Sequence, residues 1–477
     1  MKTRSLIYKF LAATLLLGFA ACKKQVQVDP PTTLISSATV FSNDNTAISA
    51  QLSLYAQMAD DPYNYHVTTA LSSDEYTSYS TNPNSVDIYK NALTAQGTDA
   101  ANIGIWSQTY NYLYRVNAVL EGIASSTGLS NKVKQQTKGE ALLMRAYFDF
   151  YLTNFYGDVP IVNNTDYKVN SALSRSPQSD IYQQVINDLR QSQNLLSANY
   201  LDATDMAVSP DHIRPTKWAA TALLARAYLY NKNWIGADSA ASVLINNPTY
   251  QLSPLTGATG VFMKNSSEAI WQVTPNLTFS QYATTDGRNF ILTAAPNGVS
   301  NLGIISPQLL SAFESNDQRK VNWVGSFTDG ITTWYFPYKY KDGKSATALH
   351  EYTMILRLGE QYLIRAEARV MEGNNLSGAL ADLNAIRTRA GLPNYNGATD
   401  KTSVMAAILH ERQVELFCEG HRWSDLRRTG SLDALMGSPG NVTLAKGGVT
   451  WNSYQQYYPI PQSDINISPN LAQTPGY

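Results

Sequence analysis

The stretch ADDPYNYHVTTALSSDEYTSYSTN (59–82) brings carboxylates, an amide and phenol rings close together: Asp60, Asp61, Asn64, Tyr65, Asp74, Tyr76 and Tyr79. Carboxylates and amides form paired hydrogen bonds with neighbouring hydroxyls, and a tyrosine offers a flat apolar face with a polar tip. Together these groups suit a polyhydroxylated ligand. A second cluster, Trp323, Trp334, Tyr335 and Tyr338, adds larger rings. If WYFPYKY (334–340) is a strand, its side chains alternate, and Trp334, Phe336 and Tyr338 share one side. The competing reading is that one face of each segment is core and the rest ordinary surface.

Catalytic patterns are weaker. Asp61 and Asp74 would hydrolyse a glycosidic bond only if placed across it, roughly 5 Å or 6.5–9.5 Å apart. A chain with 37 acidic residues offers many such pairs. No GxSxG, HExxH, P-loop or GxGxxG motif is present, and KDGKS (341–345) has Tyr338 where a Walker loop needs its upstream glycine. His410, Cys418 and His421 are close in sequence, but on one straight helix the two histidines would stand about 16 Å apart, too far to share a metal. His66, His212 and His350 show no ligand spacing. No metal, no cofactor and no catalytic residue is expected.

The elements that position these residues follow from composition and pattern. The 477 residues carry a net charge of −1, which leaves no basic excess for nucleic acid. Charged residues make up 15%, below the roughly 25% of ordinary soluble domains, and the 30 Tyr and 8 Trp outnumber the 13 Phe. At the N-terminus, Lys2, Arg4 and Lys9 precede an apolar run, Phe10 to Ala21, and then Cys22. That order reads as an export signal, about half the length a spanning helix needs. Cys22 after Ala20-Ala21 resembles a bacterial lipobox, with Phe19 in place of the usual leucine. Residues 1–21 are then the signal peptide, Cys22 the lipidated residue and 22–33 a Pro-containing tether. Cys418, among Val414, Leu416 and Phe417, reads as a buried inert thiol.

Helical spacing runs from Thr46 to Met58 and from Asn102 to Gly122. Three Leu/Ala-rich segments, 141–160, 217–237 and 359–391, each contain Arg-Ala: Arg145-Ala146, Arg226-Ala227 and Arg365-Ala366. The last two read as helix–turn–helix units resembling tetratricopeptide repeats, separated by long insertions. Residues 60–100 and about 246–350 are rich in Asn, Thr, Ser, Gly and Tyr. There helical periodicity fades, and loops or short strands such as Ala269 to Val273 and Thr332 to Tyr340 fit better. A helix is expected from Ser403 to Leu416, with Glu411, Arg412 and Glu415 on exposed turns. Arg422, Asp425, Arg427 and Arg428 are expected to add local ion pairs.

Taken in order, GEALLMRAYFDFYLTNFYGDVPIV (139–162), LRLGEQYLIRAEA (356–368), LNAIRTRAGLP (383–393), ERQVELFCEGHRWSDLRRTG (411–430) and YPIPQSDINISPNLAQTPGY (458–477) resemble the SusD/RagB family of Bacteroidetes outer-membrane lipoproteins. The resemblance implies a mainly α fold, with tetratricopeptide-like helix pairs as scaffold and irregular loop and short-strand insertions. It implies one SusD-like domain over 34–477: helical repeats in 34–245, a loop-rich insertion at about 246–350, and a helical part in 351–477. It also implies a non-enzymatic, lipid-anchored protein at the outer membrane, facing outward, that captures a glycan for a SusC-like TonB-dependent transporter. Lys23 and Lys24 depart from the acidic residues that often follow the lipidated cysteine. Family ligand residues lie in the loop after the first helix and in the middle insertion, which points to Asp61, Asn64, Tyr65, Asp74, Tyr76, Tyr79, Trp323, Trp334, Tyr335 and Tyr338. A peptide-binding member, or a scaffold whose helices bind protein, are the alternatives.

Overall fold

The computed structural model describes residues 37–96, 104–204, 207–276, 282–438 and 440–477. The signal peptide, Cys22 and the tether lie outside these residues.

The principal helices are α1 (Asp44–Gln57), α2 (Asp61–Ser72), α3 (Ile105–Ser125), α4 (Asn131–Tyr156), α5 (Gln178–Leu195), α6 (Lys217–Tyr230), α7 (Trp234–Ile245), α8 (Leu358–Glu372), α9 (Leu376–Arg389) and α10 (Lys401–Glu415). Polar caps start many of them. Ser130, Thr216, Asn375 and Asp400 each accept a backbone N–H of the first turn. Gly373, at φ +78°, closes α8 in the left-handed conformation that glycine adopts without steric cost.

Each helix from α3 to α9 packs on the next, and the stack does not break where the sequence does. α7 ends at Ile245 and α8 begins at Leu358, yet the two lie side by side. The three Arg-Ala pairs explain much of this. Ala146, Ala227 and Ala366 are fully buried at close helix contacts. The neighbouring arginines reach across the stack in two-pronged ion pairs. Arg145 meets Asp188 of α5 at 2.7 and 2.8 Å. Arg226 meets Glu360 of α8 at 2.7 and 2.6 Å. Arg365 meets Asp382 of α9 at 2.9 and 2.6 Å. Such forked pairs fix geometry as well as adding attraction.

The strands are short antiparallel pairs: β1 (Tyr76–Ser78) with β3 (Gly303–Ile305), β2 (Ala269–Val273) with β6 (Thr353–Arg357), and the hairpin β4 (Val324–Thr328) with β5 (Thr333–Pro337). β2 has the limits expected from the sequence, and the alternation in 334–340 is partly realised in β5.

Two expectations fail. Residues 60–100 are not all loop: α2 and a short helix, Pro83–Tyr89, occupy much of the segment. Proline in the first turn favours each start. The usual stripe is missing because α2 buries His66, Thr68, Thr69 and Ser72 along with Leu71 and Ala70. Secondly, Glu411, Arg412 and Glu415 are buried, not exposed. Arg412 does pair locally with Asp425 at 2.8 Å. Glu415, however, joins a long-range network with Arg319, Arg357 and Arg389, which extends to Glu268, Asp317, Glu411, Glu419 and Lys339. No helix among the described residues is long and apolar enough to cross a membrane.

Candidate functional site

α2, β1 and the helix Pro83–Tyr89 enclose a cleft of about 250 Å3. α2 contributes Tyr63, Asn64, Val67, Thr68 and Leu71. The strand and its continuation contribute Tyr76, Ser78, Ser80 and Asn82. Those last four alternate because the backbone is extended, so every second side chain turns the same way. Asn84, Ser85 and Ile88 line the far wall, and Leu302 stands beside β3. The Ser78 hydroxyl accepts the Ser80 N–H at 3.1 Å and the Ser80 hydroxyl accepts the Asn82 N–H at 3.2 Å. Each hydroxyl proton therefore stays available as a donor. The lining combines amides, hydroxyls and phenols with the aliphatic Val67, Leu71, Ile88 and Leu302, and it holds no charged side chain.

The expected ligand residues fall into two groups. Asn64 and Tyr79 are exposed, and Asn64 lines the cleft. Tyr79 turns away from it, while its backbone N–H donates to Leu302 at 2.7 Å. On the β4–β5 hairpin, Tyr335 is exposed, and Trp334 stacks on its cross-strand partner Phe327 at 6.2 Å. Phe336 and Tyr338 also meet ring to ring, at 5.8 Å. β5 packs beside β3, and β3 pairs with β1, so the two distant segments share one region.

Packing claims the others. Trp323 is fully buried. Its indole N–H donates to the Leu255 carbonyl at 2.8 Å, and Lys339, Arg389 and Arg357 lie over its ring at 5.0, 5.6 and 6.0 Å. Tyr65 is buried, stacked on Tyr151 at 4.2 Å. Asp74 is buried and gripped by Arg422 through two bonds of 2.8 Å. Asp61 is largely buried, and burial, helped by Asp60 and opposed by Tyr112, pushes its carboxyl up to about 6. Tyr76 is buried against Phe290 but still forms part of the cleft wall.

The chemistry judged weak from the sequence gains nothing. No group of histidine, cysteine and carboxylate side chains able to hold a metal occurs among the described residues. His410 binds the Ala312 carbonyl through Nε2 at 2.8 Å. Burial, with Arg226, Arg412 and Arg357 nearby, holds His421 well below its ordinary value, so it is neutral. Cys418 is buried, and burial raises its thiol, which stays protonated. The sequence reading missed Tyr63, Ser78, Ser80, Asn82, Asn84 and Ser85. The alternation of small polar residues at 78, 80 and 82 was the available signal.

Two family models match the chain. The SusD family model matches residues 313–477, and a model described as "Starch-binding associating with outer membrane" matches residues 29–229. A SusD-like protein of Bacteroides ovatus is 26% identical, over 98% of this chain and 94% of its own length. A SusD superfamily protein of Bacteroides vulgatus has the same fold, with a TM-score of 0.78 and 22% identity over 92% of this chain and all of that one. Surface glycan-binding protein A of Bacteroides uniformis aligns with a TM-score of 0.74 and 18% identity over 90% of this chain and 99% of its own. The helical scaffold with its few short strands is the fold of that SusD superfamily structure. The chain belongs to the SusD/RagB family.

Proposed function

We propose that the protein is a glycan-capturing lipoprotein of the outer membrane, anchored through Cys22, that passes its ligand to a SusC-like TonB-dependent transporter. The observation that carries this reading is the cleft between α2 and β1. Its amides and hydroxyls match sugar hydroxyls, its tyrosines match the apolar faces of sugar rings, and it lacks the paired free carboxylates that hydrolysis requires. The aromatic hairpin extends the surface for a longer chain. The family description as starch-binding and the glycan-binding name of one structural neighbour support the same reading. Binding, not turnover, is the activity.

The test is affinity electrophoresis of the chain from Lys23 against a polysaccharide panel, followed by calorimetry on each hit. Asn64→Ala is expected to weaken the hit about tenfold, and Trp334→Ala to weaken long chains more than short ones. A silent panel with binding of oligopeptides would overturn the glycan reading. Loss of all small ligands would leave a protein-binding scaffold.

A further inference from the structure

β1 has a second side. Behind it lies another cleft, of about 260 Å3, lined by Asp74, Tyr76, Thr77, Tyr89, Gln308 and Lys446 among others. Its size is just under the roughly 300 Å3 at which pockets begin to hold drug-sized ligands, which fits one ring-sized unit. Thr77 turns to this side by the same alternation that turns Ser78 and Ser80 to the other.

Lys446 is the unusual member. It follows the short helix Val442–Ala445 and is buried. Its amine donates to the last carbonyls of α2, Leu71 at 2.7 Å and Ser72 at 3.0 Å. It stands 5.2 Å from the centre of the Tyr89 ring. An ammonium has three donors, so one is left over. No carboxylate forms an ion pair with it among the described residues. Asp74, the acid that faces it from the lead into β1, is committed to Arg422 of the helix Arg422–Arg428. Burial pushes the amine down to about 7, and Asp74 only partly offsets this. An anion arriving in the cleft therefore meets a buried amine with no counter-charge of its own, which pairs with the anion by taking up a proton.

We propose that this second cleft is a subsite for an acidic sugar unit, whose carboxylate pairs with Lys446 while Tyr76 and Tyr89 flank its ring and Thr77 and Gln308 take its hydroxyls. The proposal rests on the glycan-capture reading and narrows it: β1 becomes a wall between a neutral and an acidic subsite, and Tyr76 lines both. Pairing with a carboxylate favours the charged amine, so binding at pH 7.5 takes up a proton.

The experiment is calorimetry of the full chain at pH 7.5, in two buffers of contrasting ionisation heat. The probes are trimers of galacturonate, glucuronate and mannuronate, with galactotriose, cellotriose and mannotriose as neutral counterparts and a glutamate-ended tripeptide as an acidic control. At least one uronate trimer is expected to bind tenfold or more tightly than its neutral counterpart, with proton uptake. Lys446→Met is expected to erase that preference and the uptake, leaving neutral binding unchanged. Gln308→Ala, on an exposed residue that leaves folding intact, is expected to weaken the uronate several-fold and keeps the test open should Lys446→Met not fold. Neutral trimers binding as well as every uronate would overturn the subsite and leave glycan capture standing. The tripeptide binding in place of uronates would overturn the sugar class. Failure of all trimers would overturn both readings.

Discussion

Glu415 and Glu75 are both buried carboxylates, and their surroundings differ in kind. Burial alone would push Glu415 up, but Arg389, Arg357 and Arg319 outweigh it and hold the carboxyl well below the usual range. The charge is permanent and ties α9, α10, β6 and the helix Gln318–Trp323 together. Glu75 lies between Asp74 and Tyr76, next to both clefts. One of its oxygens accepts the Cys418 N–H at 3.3 Å, and the other has no hydrogen-bond partner among the described residues. Burial, then Asp74, pushes it up to about 8, so at neutral pH it keeps its proton. The frame is built from charges that satisfy one another, while the wall between the clefts retains an unsatisfied acid. Ordered frames around looser sites are the usual division of stability within a fold.

The largest effect is expected from Glu415→Gln. Removing one partner strands buried guanidinium groups, which costs about 3–5 kcal/mol. Urea midpoints measure it, and a loss under about 1 kcal/mol would break the contrast. Glu75→Gln should act the other way and depend on pH. The folded chain keeps the Glu75 proton up to about 8, whereas the unfolded chain sheds it near the ordinary value of 4.5. Wild-type stability therefore falls as pH rises through that window, and the glutamine variant escapes the fall. Melts at pH 4 and pH 8.5 should show no difference at the first and a gain of roughly 1–2 kcal/mol at the second, since relaxation of the site absorbs part of the full shift. Trp334→Ala on the hairpin is expected to shift stability by only about 0.5 kcal/mol, with its cost appearing in ligand affinity instead. A large loss of stability would return Trp334 to the frame.

The sequence made the frame more legible than the site. Leu/Ala runs with Arg-Ala marked α4, α6 and α8, because close helix contacts demand small residues and leave a periodic trace. What Arg145, Arg226 and Arg365 do was not legible, since Asp188, Glu360 and Asp382 lie on other helices. The network around Glu415 was hidden for the same reason. Trp323 and Trp334 look alike in sequence. Only the Leu255 carbonyl and the cations over its ring, all distant in the chain, assign Trp323 to the interior. The cleft draws on α2, whose buried face is too polar to betray a helix.

The neck of the middle insertion has a consequence for how such proteins diversify. β2 and β6 pair where the chain leaves and returns, and Arg357 at the end of β6 bonds Glu268 just before β2 at 2.9 Å. With that gate closed, doubling the length of the enclosed chain costs only about 0.6 kcal/mol of closure entropy. Descendants can lengthen or shorten loops beyond the gate while α7 and α8 stay side by side, provided Arg319 and Lys339 keep their carboxylate partners on the frame. Loops beyond the gate are open to rewriting, but a lineage meeting a new polymer must also change the cleft residues of α2 and β1, which lie outside it.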